Sequence, residues 1–105
     1  MSLRMPQSLS TSSRFDTGLS ILEAELHAES AVALGRIGRD LEQALAVLSA
    51  AEKGAAHRSQ LVKATAAACW RYFVQREALG MFDHAHPVAH YAIPGEVLAR
   101  IGAAD

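Results

Sequence analysis

Between residues 19 and 48, apolar and small side chains return every three or four positions: Leu19, Leu22, Leu26, Ser30, Ala33, Ile37, Leu41, Ala44, Leu45 and Leu48. That spacing lines them up on one stripe of an α-helix and does not fit the two-residue alternation of a strand. The flanks supply start and stop signals. Asp16 or Thr17 can accept from the free N–H groups of a first turn, Glu23, Glu25 and Glu29 lie toward the end that the helix dipole makes favourable for acids, and Gly54 can close the helix. A helix over about 17–53 is expected, roughly 50 Å long at ~1.5 Å per residue.

The middle of this stripe is built from small residues, Ala28, Ser30, Ala31, Ala33, Gly35 and Gly38. A glycine inside a helix costs about 1 kcal/mol relative to alanine, so two of them here point to a close crossing or a bend. A second helix is expected from His57 to Leu79, with Gly80 as its left-handed stop. It is apolar on two sides. One side carries Leu61, Val62, Thr65, Ala68, Cys69, Tyr72 and Leu79, and the other Ala66, Trp70, Phe73 and Val74, a pattern suited to burial between two neighbours. The short link at Gly54-Ala55-Ala56 leaves room only for a tight reversal, which makes the two helices an antiparallel hairpin.

After Gly80 the chain opens short helices with Pro87 and Pro94, and the second of these, closed by Gly102, shows an apolar face of Val97, Leu98 and Ile101. The first helix is longer than the second. Its Leu19, Leu22 and Leu26 therefore need cover from the C-terminal segment or from a second subunit. Residues 1–14 are rich in serine and without sustained period, and read as a disordered polar tail ahead of a single helical domain over 15–105.

The fold class that follows is all-α, a long helical hairpin with one or two short C-terminal helices, forming a dimeric helical bundle. At 105 residues such a chain sits near the size where association helps. Of these residues 21 are alanine, so much of the apolar content is small and favours closely packed backbones. Cys69 stands alone, which rules out an intramolecular disulfide and a cysteine zinc cage and fits a reducing cytoplasm. The first fifteen residues lack the apolar core of a secretory signal, and no uncharged run approaches a membrane span, so neither export nor a membrane partner is expected.

The net charge of −1 offers no general attraction for nucleic acid. Its distribution is uneven. Over 16–53 seven acids face Arg36, Arg39 and Lys53, a balance of −4, whereas over 54–80 Arg58, Lys63, Arg71 and Arg76 face only Glu77, a balance of +3. The two central segments are thus electrostatically matched.

Two constellations are candidates for chemistry. Asp83, His84, His86 and His90 form the richest group of potential metal ligands, and His86 and His90 share a helix face at i, i+4. A helical pair supplies only two ligands and no His-Glu-x-x-His pattern accompanies it, so capping and loop roles are preferred to a metal or small-ligand site. Arg76 lies within an apolar side of the second helix and needs a carboxylate. A reversal near Gly54 places Glu29 within reach, and a structural Arg76–Glu29 ion pair is expected, with an anion pocket as the alternative. Cys69 lies between Ala68 and Trp70 without an adjacent base, an apolar setting that makes a packed thiol and not a nucleophile. Trp70, Tyr72 and Phe73 read as core. Nothing resembles a phosphate loop, a serine elbow or paired catalytic carboxylates, so no catalytic residue and no cofactor is assigned.

The run Trp70-Arg71-Tyr72-Phe73-Val74-Gln75-Arg76-Glu77, then Gly80, Asp83-His84 and Tyr91-Ala92-Ile93-Pro94-Gly95-Glu96-Val97-Leu98 resembles a family of short bacterial proteins of unassigned function. The resemblance covers the last third of the chain. It implies a bacterial origin and a helical fold, and it carries no functional residue onto any position. The expected role is that of a homodimeric interaction, regulatory or adaptor protein, with itself and another protein as partners.

Overall fold

In a computed structural model, the backbone is described over residues 4–103 and side chains over 17–103. Four helices follow in order: α1 (Arg4–Ala50), α2 (Arg58–Ala78), α3 (Ala85–His90) and α4 (Gly95–Arg100). Among the described residues there is no strand. By internal contacts the chain divides into a unit of residues 1–30 and a unit of residues 31–105.

Helix α1 begins at Arg4, well before the expected start near residue 17, and so overlaps the segment read as a polar tail. The backbone offers a reason. Pro6 falls in the first turn, where a missing N–H costs no hydrogen bond, and no further proline or glycine interrupts the chain before Gly18. Side chains of residues 1–16 lie outside the described residues, as do the expected capping contacts of Asp16. At the other end α1 stops at Ala50, short of Gly54. Its last turn tightens as Ala51 N–H donates to Leu48 O at 3.1 Å, and the carbonyl of Ala51 is taken by Arg58 Nη1 at 3.2 Å.

Within the second unit, α1 and α2 form the expected antiparallel hairpin. Gly38 meets Tyr72, and Ala44 O accepts from Thr65 Oγ1 at 3.4 Å, so positions descend along α2 as they rise along α1. The core between them holds Leu41, Leu48, Val62, Cys69 and Tyr72, with Leu41 and Cys69 fully buried. Thr65 is the one buried polar residue among the described core. Its hydroxyl also bonds Leu61 O at 2.8 Å, which satisfies it one turn back along its own helix.

Helix α2 ends as its sequence signals. Gly80 takes φ +85°, Gly80 N–H donates to Glu77 O at 2.9 Å and Met81 N–H to Arg76 O at 2.9 Å, a closure that satisfies two terminal carbonyls. Helix α3 closes with the same pair of bonds, Ala92 N–H to Ala89 O and Ile93 N–H to Val88 O, but around Ala92 at φ +51°. Pro87 sits in the first turn of α3 and Pro94 caps α4. Val97 is fully buried and α4 packs on α2, so the small apolar face of the C-terminal helix finds its surface there. Beyond α4, Gly102 at φ +75° permits a turn in which Ala103 N–H donates to Arg100 O.

Candidate functional site

The end of α2 and the start of α3 gather most of the residues singled out from the sequence. A 3.6-residue period puts Phe73, Arg76 and Glu77 on neighbouring faces of the last turns of α2, and the reversal at Gly80 brings His84 back over them. The His84 ring stacks on Phe73, with centroids 4.3 Å apart and planes 14° from parallel. Its Nε2 lies 2.8 Å from Glu77 Oε2, and its Nδ1 accepts from Arg76 Nε at 3.4 Å. This arrangement requires the proton on Nε2, so that both ring nitrogens are occupied. Arg76 Nη2 also donates to Asp83 O at 2.9 Å, and Asp83 Oδ1 accepts from Ala85 N–H at 2.9 Å, an Asx turn that starts α3.

These contacts redistribute the expected ligand group. Asp83 and His84 are engaged with the helix junction, whereas His86 and His90 face each other as a separate pair, with centroids 5.9 Å apart and planes 9° from parallel. Among the described residues no three histidine, cysteine or acidic side chains converge as a metal cage. Arg76 finds its bonds within the second unit, at His84 and Asp83, while Glu29, its expected partner, belongs to the first unit and is exposed.

An open groove of about 870 Å³ runs along the second unit between the end of α1 and the α3–α4 connection. Glu42, Glu52, Lys53, Arg58 and His90 stand along it, so its lining mixes acidic and basic side chains. Arg58 is committed elsewhere, to the ion pair with Glu96 and to Ala51 O. Every buried side-chain nitrogen or oxygen among the described residues has a partner, so no orphaned polar group is aimed into the groove. Cys69 is fully buried and desolvation pushes its thiol up to about 11, which makes it a poor nucleophile.

Exposed apolar surface is the more informative feature. Leu19, Ile21, Leu22 and Leu26 of the first unit are each exposed by 43% or more. In the second unit Trp70 is 54% exposed and Val74 45%, which corrects the reading of Trp70 as core. The reason is angular: at about 100° per residue Trp70 and Tyr72 point in nearly opposite directions, and α1 takes Tyr72. Phe73 is half-buried under His84. Two relationships were not legible beforehand, the Arg58–Glu96 ion pair and the Tyr72–Tyr91 edge contact at 5.5 Å, because both depend on where the C-terminal segment returns.

The chain belongs to a family of unknown function, DUF6665, whose family model matches residues 1–105. No curated protein and no solved structure matches it. The family is one of unknown function, as expected, and its match is to the whole chain.

Proposed function

For this member of DUF6665 we propose a role in protein–protein interaction, with self-association into a homodimer as its first expression and a regulatory or adaptor function in the bacterial cytoplasm. One observation carries the reading: Leu19, Leu22 and Leu26, on a single helical stripe, stand in water in the isolated chain. Burying such a side chain from full exposure is worth about 1.5–3 kcal/mol, and these three are about half exposed, so covering the stripe contributes roughly half of that per residue and favours a partner. The exposed Trp70 and Val74 add a second apolar patch of the kind that anchors interfaces. A lone, buried, free thiol fits a reducing compartment. Against catalysis stand the engagement of Asp83 and His84 in the helix junction and the packed state of Cys69.

Light scattering coupled to size-exclusion chromatography tests this directly. The natural chain is expected to elute at twice the subunit mass, and the double substitution Leu22→Lys with Leu26→Lys to elute as a monomer of unchanged helicity. A natural chain that stays monomeric at high concentration would refute the proposal.

A further inference from the structure

The two exposed apolar surfaces differ in charge, and that difference selects how they pair. On α1, Leu19, Leu22 and Leu26 form a stripe flanked on its two sides by Glu23 and Glu29, with Glu25 beyond, and residues 17–30 contain neither lysine nor arginine. On α2, Ala67, Trp70, Val74 and Ala78 form an exposed stripe at the same helical spacing, bordered by Arg71 on one side and by Glu77, which His84 engages, on the other, with Lys63 at its start. Beside Trp70 a shallow hollow of about 200 Å³, floored by Ala66 and Ala67 and edged by Lys63 and Arg100, gives that face relief.

We infer that the acidic, leucine-striped segment of α1 over residues 17–30 in one copy docks on the Trp70 face of α2 in a second copy. The inference rests on the self-association proposed above and names its surfaces. Pairing the leucine stripe with its own equivalent would bury the same apolar side chains but would bring Glu23, Glu25 and Glu29 of both copies together. Like charges set against each other across an interface repel, whereas the α2 face carries Lys63 and Arg71 against a single acid, Glu77, which His84 already engages. Two-fold symmetry makes the contact twice, since each copy offers one acidic stripe and one basic aromatic face. Trp70 occupies the centre of the receiving face, where a large aromatic side chain gains most from losing water.

The chain has a single tryptophan, so the docking face carries its own probe. The full-length protein is followed by light scattering and by Trp70 emission and quenching across a concentration series. Association is expected to shift the emission to shorter wavelength and to protect Trp70 from acrylamide. One variant carries Lys63→Glu and Arg71→Glu, a second Glu23→Lys, Glu25→Lys and Glu29→Lys; all five positions are exposed, and circular dichroism verifies the helices. Each variant alone is expected to self-associate at least about tenfold more weakly, and an equimolar mixture to recover the dimer, because both contacts of the mixed pair are again of opposite charge. If the natural chain dimerises while Trp70 stays as accessible as in the monomer and mixing restores nothing, the docking inference is overturned and self-association stands. A natural chain that never associates overturns both.

Discussion

Gly38 of α1 lies against the ring of Tyr72 of α2: a Cβ atom at position 38 would stand 3.3 Å from Tyr72 Cε1 and 3.3 Å from the Tyr91 hydroxyl. The two aromatic rings meet edge to face at 5.5 Å, so this glycine is the flat spot on which their contact rests.

Gly35, one turn earlier, has no such neighbour; a Cβ there would meet only the flexible end of Arg39 at 3.6 Å. Replacing Gly35 by alanine is expected to stabilise the fold by about 1 kcal/mol, the helix-propensity gain. The same change at Gly38 earns none of that net gain, because Tyr72 is buried and has little room to yield. Urea unfolding of the two variants side by side measures the difference, and an equal gain at both positions would contradict the close approach.

Ala92 is the only non-glycine residue with positive φ among the described residues. It occupies the position in the α3 closure that Gly80 occupies in the α2 closure. A left-handed conformation costs an alanine about 1 kcal/mol or more, so Ala92→Gly is expected to stabilise and Gly80→Ala to destabilise, each by about 1 kcal/mol. Opposite shifts of the thermal midpoint in the two variants are the predicted signature.

Much of this was written in the chain and part was not. The stripe from Ile37 to Leu48 and the facing positions Val62, Thr65, Cys69 and Tyr72 repeat at helical spacing, so the hairpin and its core were legible. Helix α1 starts at Arg4, ahead of the start near residue 17 that its stripe implies, because serine-rich composition lowers propensity only modestly and Pro6 does no harm in a first turn. Trp70 illustrates a different limit. Periodicity places it on a second apolar side of α2, but what covers that side depends on where the chain returns: α4 packs on α2 and leaves Trp70 and Val74 exposed. The candidate ligands Asp83 and His84 were visible as residue types, yet their use depended on the return of the chain over Phe73, Arg76 and Glu77, a long-range event that spacing does not encode.

Arg58 joins three elements: it bonds Ala51 O beyond α1, opens α2, and pairs with Glu96 in α4. Removing the guanidinium by Arg58→Met is expected to cost about 1–2 kcal/mol, since a partly shielded charge-assisted bond and a carbonyl contact are lost together. Glu96→Gln is expected to cost less, under about 1 kcal/mol, because Glu96 is exposed and the Ala51 bond survives. Raising the salt concentration should shrink the Glu96 effect. Equal costs for the two variants would mean that the Ala51 carbonyl bond contributes nothing.

One buried group, Cys69, and one half-buried group, Tyr91, make the fold sensitive to alkaline pH. Desolvation pushes the Cys69 thiol from its ordinary 9.0 up to about 11. Burial, the hydrogen bond with Tyr72, and then the charges of Tyr72 and Glu42 push Tyr91 from 10.0 up to about 12, with Arg76 pulling the other way. In both cases the folded state holds its proton after the unfolded chain has released its own. Between the unfolded and folded values the native state therefore binds more protons, and stability must fall as pH rises. The fall is expected to begin near pH 9 with Cys69, to steepen above pH 10 as Tyr91 joins, and to level off only past about 12. Tyr91→Phe removes the upper part of this slope and leaves the lower part, and Cys69→Ala does the reverse, whatever either change does to stability at neutral pH. Urea midpoints measured across this range read the slopes directly. The same burial predicts that a disulfide reagent modifies Cys69 at the rate of local opening in the native protein and at the rate of a free thiol in urea. A native thiol that reacts as fast as the denatured one would show that Cys69 is not packed between α1 and α2.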